Sequence, residues 1–123
     1  MIMNDEILLY QNDQLDESYY KAEHKSGLTV YFFPKDRQSS CAILACKYGS
    51  IDNTFVDANG KTIKIPDGVA HFLEHKMFET ESGASVEEKF SKLSADPNAF
   101  TKWDATAYFF TCTDNEKFYP CLD

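Results

Sequence analysis

Residues 68–79 read GVAHFLEHKMFE, and this stretch is the strongest structural signal in the chain. Just before it, Pro66 and Asp67 are typical of a helix start, because an aspartate at the N-cap accepts a hydrogen bond from a free N–H group of the first turn. We therefore predict a helix from Gly68 to about Phe78, with Asp67 as its N-cap.

Two histidines and a glutamate lie together on this helix. At about 100° per residue, His71 and His75 share one face a turn apart, where two imidazoles can reach one metal ion. Glu74 lies on the same side, and a carboxylate beside zinc can take a proton from water whose pKa the metal lowers to about 7. The HxxEH order is the inverzincin signature, which arises by chance in roughly one in several hundred chains of this size. The alternative is an amphipathic helix whose polar face binds no metal.

The other side of the predicted helix is apolar. Val69, Phe72, Leu73 and Met77 cluster there, and we expect them to face a hydrophobic core.

Alternating, turn and capping patterns predict the remaining elements. They are strands over residues 28–33 and 41–48, a hairpin around Asn59-Gly60, a helix over 86–93 after Ser85, strands over 98–101 and 105–111, and a third helix starting after Thr113. Whether the first two strands form a hairpin or are only neighbours stays open.

The composition narrows the possible partners. The chain has 123 residues and a net charge of -8, and an acidic surface repels phosphate groups, so neither nucleic acid nor an anionic membrane is expected as a partner. The first residues lack the basic start and apolar run of a secretory signal, and no segment is apolar enough to span a bilayer, which predicts a cytoplasmic protein. The cysteines, expected as buried or half-buried free thiols without metal spacing, are Cys41, Cys46, Cys112 and Cys121.

The stretch from Gly68 to Glu79 resembles the active-site helix of the insulinase/pitrilysin family of zinc metallopeptidases. Residues 98–101 and 106–108 resemble that family's downstream strand pair, and residues 48–50 are also similar to it. The Asn59-Gly60 hairpin and residues 74–79 look most like a bacterial insulinase-like branch found in Firmicutes.

This resemblance implies an α/β (α+β) fold, in which helices pack on one face of a mixed, mostly antiparallel sheet in an insulinase-type metallohydrolase half-domain. Residues 26–123 would be the N-terminal part of the zinc peptidase catalytic domain, preceded by an extension over residues 1–25.

The resemblance also implies a zinc-dependent metalloendopeptidase, with His71 and His75 as ligands of Zn²⁺ and Glu74 as general base. It implies that a peptide substrate is held as an additional strand. The strand that would hold it consists of Asn98, Ala99, Phe100 and Thr101.

Two departures from the family pattern matter. The family's third zinc ligand is a glutamate on a later helix, and nothing in this chain occupies that position. We expect the carboxylates Glu79, Glu81, Glu87, Glu88 and Asp104 to be surface charges, so the site is predicted to be incomplete and inactive in this chain alone. Pro97, just before the substrate strand, has no N–H to offer a peptide.

The possible partners of the chain follow from the same resemblance. A homologous second half or subunit, or a second copy in a homodimer, is expected to accompany the catalytic part. The alternative function is a non-catalytic fragment that binds peptides or pairs with a subunit.

Overall fold

The computed structural model describes residues 7–79 and 85–122, and the chain divides into two units between Arg37 and Gln38. The first unit is an antiparallel sheet of β1 (Leu8–Asn12), β2 (Glu17–Glu23) and β3 (Thr29–Phe32), in that order. Tyr10 stacks on Tyr19 with ring centroids 4.9 Å apart, so aromatic contacts support the sheet. The strand predicted over residues 28–33 is confirmed. The predicted boundary after residue 25 stays a prediction, although β2 and β3 pair across it.

The described residues of the second unit form five strands and two α-helices. They are β4 (Ser40–Cys46), β5 (Thr54–Val56), β6 (Thr62–Lys64), α1 (Val69–Lys76), α2 (Val86–Lys92), β7 (Ala95–Thr101) and β8 (Thr106–Cys112). One sheet has the order β4-β8-β7, and β5 and β6 form the predicted separate hairpin. Every described strand pair is antiparallel. Because β3 pairs with β2 and β4 pairs with β8, the first two predicted strands do not form a hairpin with each other.

The helices of the second unit pack on one face of the β4-β8-β7 sheet, as the fold prediction required. The hydrophobic core contains Ala95 of β7, Phe110 and Cys112 of β8, and Cys121. Phe90 of α2 lies over Phe110, with ring centroids 5.6 Å apart. Successive side chains of a strand alternate between faces, so these residues identify the face that the helices cover.

The predicted N-cap of α1 was wrong. The N-cap is Gly68, whose φ of 87° is left-handed, and no side chain caps the helix. Asp67 instead accepts a hydrogen bond from Asn53 Nδ2 at 2.8 Å. Its carboxylate is therefore engaged with the segment before β5 and not with the first turn of α1.

The prediction that the apolar side of α1 faces the core was also wrong. Phe72, Leu73 and Met77 are exposed, with Met77 at 67% exposure, and Val69 is half-buried, whereas the buried residues of α1 are Ala70 and Glu74. The small side chain of Ala70 lets the helix approach the sheet closely. The side of α1 that faces inward therefore carries a small residue and a carboxylate, and not the large apolar side chains.

The third predicted helix is replaced by two 3₁₀ turns, Asn115–Lys117 and Tyr119–Cys121. Asp114, and not the predicted Thr113, caps the first turn by accepting a bond from the Glu116 N–H at 3.0 Å. Pro120 has no N–H for the i→i-4 bond of an α-helix, so the segment forms the tighter turns instead. The second predicted helix is confirmed, since Ser85 caps α2 through the Glu88 N–H.

The cysteines are free thiols, as predicted, but only two are buried. Cys41 and Cys46 are exposed, because β4 is an edge strand of its sheet with little cover. Burial, with a further effect of Cys112, raises the pKa of the Cys121 thiol. Across the described residues, no helix is long and apolar enough to cross a membrane.

Gly49 joins the segment after β4 to the turn between β7 and β8. Ser50 and Ile51 donate backbone hydrogen bonds to the carbonyls of Lys102 and Trp103 at 2.9 and 3.0 Å. A Cβ on Gly49 would overlap the Trp103 carbonyl and lie only 2.5 Å from the Asp104 nitrogen. Only glycine allows the two backbones to come this close.

We expect Gly49→Ala to lower the free energy of unfolding by about 2 kcal/mol or more, because backbone atoms would have to separate. Gly60→Ala is the matched control: Gly60 has φ of 79° but open space around its Cβ position, so only the cost of the left-handed conformation, about 1 kcal/mol, applies. Denaturant unfolding measures both. A loss at Gly49 no larger than that at Gly60 would contradict the close approach.

Candidate active site

His71 and His75 lie one turn apart on α1, with their Nε2 atoms 3.1 Å apart. Two imidazole nitrogens on a tetrahedral zinc ion, each about 2.05 Å from the metal, are about 3.3 Å from each other. The observed separation therefore fits two ligands of one zinc ion. The His71 side chain is 63% exposed, so a metal can reach the pair from solvent.

The Glu74 carboxylate lies beside the histidine pair. It is only 9% exposed, and its Oε2 lies 3.9 Å from His71 Nε2. Thr101, the last residue of β7, donates a hydrogen bond from Oγ1 to Glu74 Oε2 at 3.1 Å. A buried carboxylate needs such partners, and here the sheet provides one.

Two further groups continue this contact into the sheet. Thr106 is 2% exposed and donates from Oγ1 to the carbonyl oxygen of Tyr48 at 2.8 Å. The hydroxyl oxygens of Thr106 and Thr101 are 3.5 Å apart. The hydroxyl groups of Thr101 and Thr106 thus lie between the Glu74 carboxylate and the Tyr48 carbonyl, which follows β4.

Tyr108 faces the same side of the sheet as Thr106. Burial is the main reason that its pKa is raised, and electrostatic interactions with Cys46 and Glu74 raise it further. A tyrosine phenol ionises only near pH 10 even without this shift, so Tyr108 is neutral in the physiological range. Tyr108 therefore adds no negative charge beside the carboxylate of Glu74.

β7 forms one edge of its three-stranded sheet, since the strand order is β4-β8-β7. The Lys102 N–H donates to the Ala105 carbonyl at 2.8 Å across the β7–β8 turn. Because backbone groups of an antiparallel strand point alternately to its two sides, Pro97, Ala99 and Thr101 turn theirs away from β8. The outer edge of β7 therefore presents the backbone groups of these three residues.

The four residues predicted to hold substrate do not contribute equally to this edge. Ala99 and Thr101 present backbone groups there, whereas those of Asn98 and Phe100 point toward β8. The Asn98 side chain does reach the edge, because its Oδ1 accepts the Ala99 N–H at 2.8 Å. The missing N–H of Pro97 also falls on the outer side, where a proline breaks no ladder bond.

The carboxylates that were considered as a third metal ligand, and expected to be surface charges, do not join the histidine pair where the structure describes them. Glu79 pairs with Lys76 at 2.5 Å, and Glu87 contacts Ser85 in the cap of α2. Glu88 and Asp104 are exposed, and Glu81 lies outside the described residues. Within residues 7–79 and 85–122, no group of three His, Cys, Asp or Glu side chains is placed to hold a metal ion.

The contact between Thr101 and Glu74 is the feature that sequence reasoning missed. Thr101 was predicted only as part of a substrate strand, and nothing in its spacing points to a residue 27 positions earlier. Alternation in the strand predicted over residues 98–101 places Ala99 and Thr101 on one face. Only the structure shows that the helices cover this face, since Ala95 on the same face is buried.

Comparison with known proteins identifies the relatives of this chain. The insulinase family, peptidase family M16, matches residues 61–123. YmfH of Bacillus subtilis, named as an uncharacterized zinc protease, is 46% identical over 105 residues, covering 84% of this chain and 24% of YmfH. The insulin-degrading enzyme homolog of Dictyostelium discoideum is 31% identical over 124 residues, covering 96% of this chain and 12% of that protein.

A solved structure agrees with these relatives. The crystal structure of an M16-like peptidase from Alicyclobacillus acidocaldarius superposes with a TM-score of 0.73 at 31% identity, over 99% of this chain and 26% of that one. The chain thus spans about a quarter of the length of YmfH and of this peptidase. Sequence match and shared fold together show that the chain belongs to the insulinase family, peptidase family M16.

Proposed function

We propose that this chain provides the metal-binding and proton-transfer part of a zinc-dependent metalloendopeptidase. The observation that carries the proposal is the histidine pair at zinc-ligand separation with a buried carboxylate beside it. His71 and His75 would hold the metal, and Glu74 would act as general base. The zinc proteases among the relatives support peptide hydrolysis as the reaction class.

The metal and the residues of the chain would have different roles in the reaction. Zinc, when bound, supplies Lewis-acid chemistry that lowers the pKa of water to about 7. Glu74 accepts the proton of the attacking water at its carboxylate and then delivers it to the leaving amine nitrogen of the peptide. The exposed side of the histidine pair leaves room for the peptide, while Glu74 is shielded by the sheet.

We further propose that the third ligand comes from a later part of the full-length protein, and that this chain alone is inactive. Catalytic zinc sites use three protein ligands, and the described residues bring two together. Relatives about four times as long leave ample chain for the missing carboxylate and for a homologous second half.

We expect the 123-residue chain to bind zinc about 100-fold or more weakly than the full-length protein, because one ligand is missing. In both proteins, His71→Ala should weaken binding further, and His24→Ala, which removes an exposed histidine of the first unit, should have no effect. Competition with a chelator measures the affinities. Equal, tight binding by chain and full-length protein would contradict the missing ligand.

In the full-length protein, Glu74→Gln should keep zinc but lower kcat by about 10²–10⁴-fold, because the amide cannot accept the proton. Glu79→Gln is the control, since Glu79 is exposed and pairs only with Lys76 on the same helix. Peptide cleavage rates and zinc content are measured together. Normal cleavage by Glu74→Gln would show that another group is the base.

We propose that the peptide substrate binds along the outer edge of β7, with its backbone paired to Ala99 and Thr101. The edge is open in the β4-β8-β7 sheet, and its outward groups are those of alternate residues. For this pairing, Asn98 Oδ1 must release the Ala99 N–H and becomes free to bond the peptide.

Two proline changes test the edge. Ala99→Pro removes an outward N–H without touching the β8 ladder and should raise KM about tenfold, whereas Pro97→Ala adds an outward N–H and should lower KM. Steady-state kinetics gives KM, and thermal unfolding confirms that both variants fold. Unchanged KM in both would exclude this edge.

The same edge also favours one alternative function, a non-catalytic chain that binds peptides or pairs with a subunit. Strand addition needs no metal, so peptide binding in that case would be unchanged by a chelator and no cleavage would follow. A metal-dependent peptidase loses cleavage when zinc is removed.

A further inference from the structure

We propose that Thr101 is a positioning residue that fixes the proton-accepting carboxylate of Glu74 relative to the substrate edge. The inference rests on the proposed function. Thr101 has its side chain on the face covered by the helices and its backbone groups on the outer edge of β7. One residue thus joins the base and the substrate strand.

The direction of the hydrogen bonds follows from counting protons. A threonine hydroxyl has one proton to donate. The proton of Thr106 is committed to the Tyr48 carbonyl at 2.8 Å, which is far closer than the Thr101 oxygen at 3.5 Å. The Thr101 hydroxyl is left to donate to Glu74 Oε2 at 3.1 Å, and an ionised carboxylate can only accept.

The sheet, and not the helix, determines where this donor stands. Thr101 pairs with Thr106 across β7 and β8, and the next pair along is closed by the Lys102–Ala105 hydrogen bond. A glutamate side chain has three rotatable bonds, so without the donor Glu74 can adopt other rotamers. The hydroxyl therefore selects the orientation of the carboxylate that lies 3.9 Å from His71.

This arrangement predicts a specific kinetic effect. Losing the donor misplaces the base during proton transfer but leaves the zinc ligands and the peptide edge intact. The loss should therefore reduce kcat while KM and zinc affinity stay the same. A purely structural role of Thr101 would change stability or zinc affinity as well.

The test uses the full-length, zinc-loaded protein with Thr101→Val, which keeps the shape, and Thr101→Ala, which removes the hydroxyl without adding a methyl group. We expect kcat to fall about tenfold in both, with KM and zinc affinity within about twofold of wild type. Thr101→Ser keeps the donor and should restore kcat to within about threefold of wild type. Thr111→Val is the matched control, because Thr111 is exposed on the opposite face of β8 and should leave kcat unchanged.

A crystal structure of Thr101→Val gives a readout independent of activity, and we expect the Glu74 carboxylate to be turned away from its wild-type position. Unchanged kcat in both donor-free variants, or a Ser variant as slow as Val, would overturn the inference while leaving the peptidase intact. Loss of zinc affinity together with kcat would also overturn it. A wild-type protein that neither binds zinc nor cleaves peptides would instead overturn the proposed function, and this inference with it.

Discussion

Strand β8 is the element on which the second unit depends, because it is hydrogen-bonded on both sides along its whole length. Its seven residues pair with seven of β4 and seven of β7, so one strand sets both registers. At one end, Thr106 is aligned with Cys46 on one side and with Thr101 on the other. A slip of β7 by one residue would turn Thr101 to the other face and separate it from Glu74. The hydrogen bond from Thr101 to Glu74 of α1 thus relies on a register set in the sheet.

Strands β1 and β2 were not predicted, because the stretch over residues 1–25 was expected only to be an extension. The other strands were the most predictable part of the fold. Runs of β-branched and aromatic residues mark them, and the Asn59-Gly60 turn marks the β5–β6 hairpin, because local sequence determines these features. The pairing of β4 with β8 was beyond such reasoning. It joins Ser40 to Cys112, residues far apart in the sequence, and no short-range pattern records the choice.

Helix α1, which carries the histidine pair, shows where periodicity misleads. Its apolar and polar sides were both evident in the sequence, and the usual rule places the apolar side inward. In the structure, Ala70 and Glu74 face the sheet, whereas Phe72, Leu73 and Met77 are exposed. The i,i+4 spacing of His71 and His75 was a safer guide, because helix geometry alone brings their side chains together. The partner of Glu74 lies on another element, so it could be found only from the structure.

Pro97 affects how readily further copies of the chain can pair along the outer edge of β7. An exposed strand edge is a template on which further copies of a chain can stack into extended sheets. At Pro97 the row of outward donors is interrupted, and at Ala99 the donor is already held by Asn98. A long partner strand would therefore find no N–H at Pro97 and an N–H at Ala99 that is already hydrogen-bonded. A short segment could pair instead at the end of β7 nearest Thr101. The outer edge of β7 is therefore a poor template for stacking further copies of the chain into extended sheets.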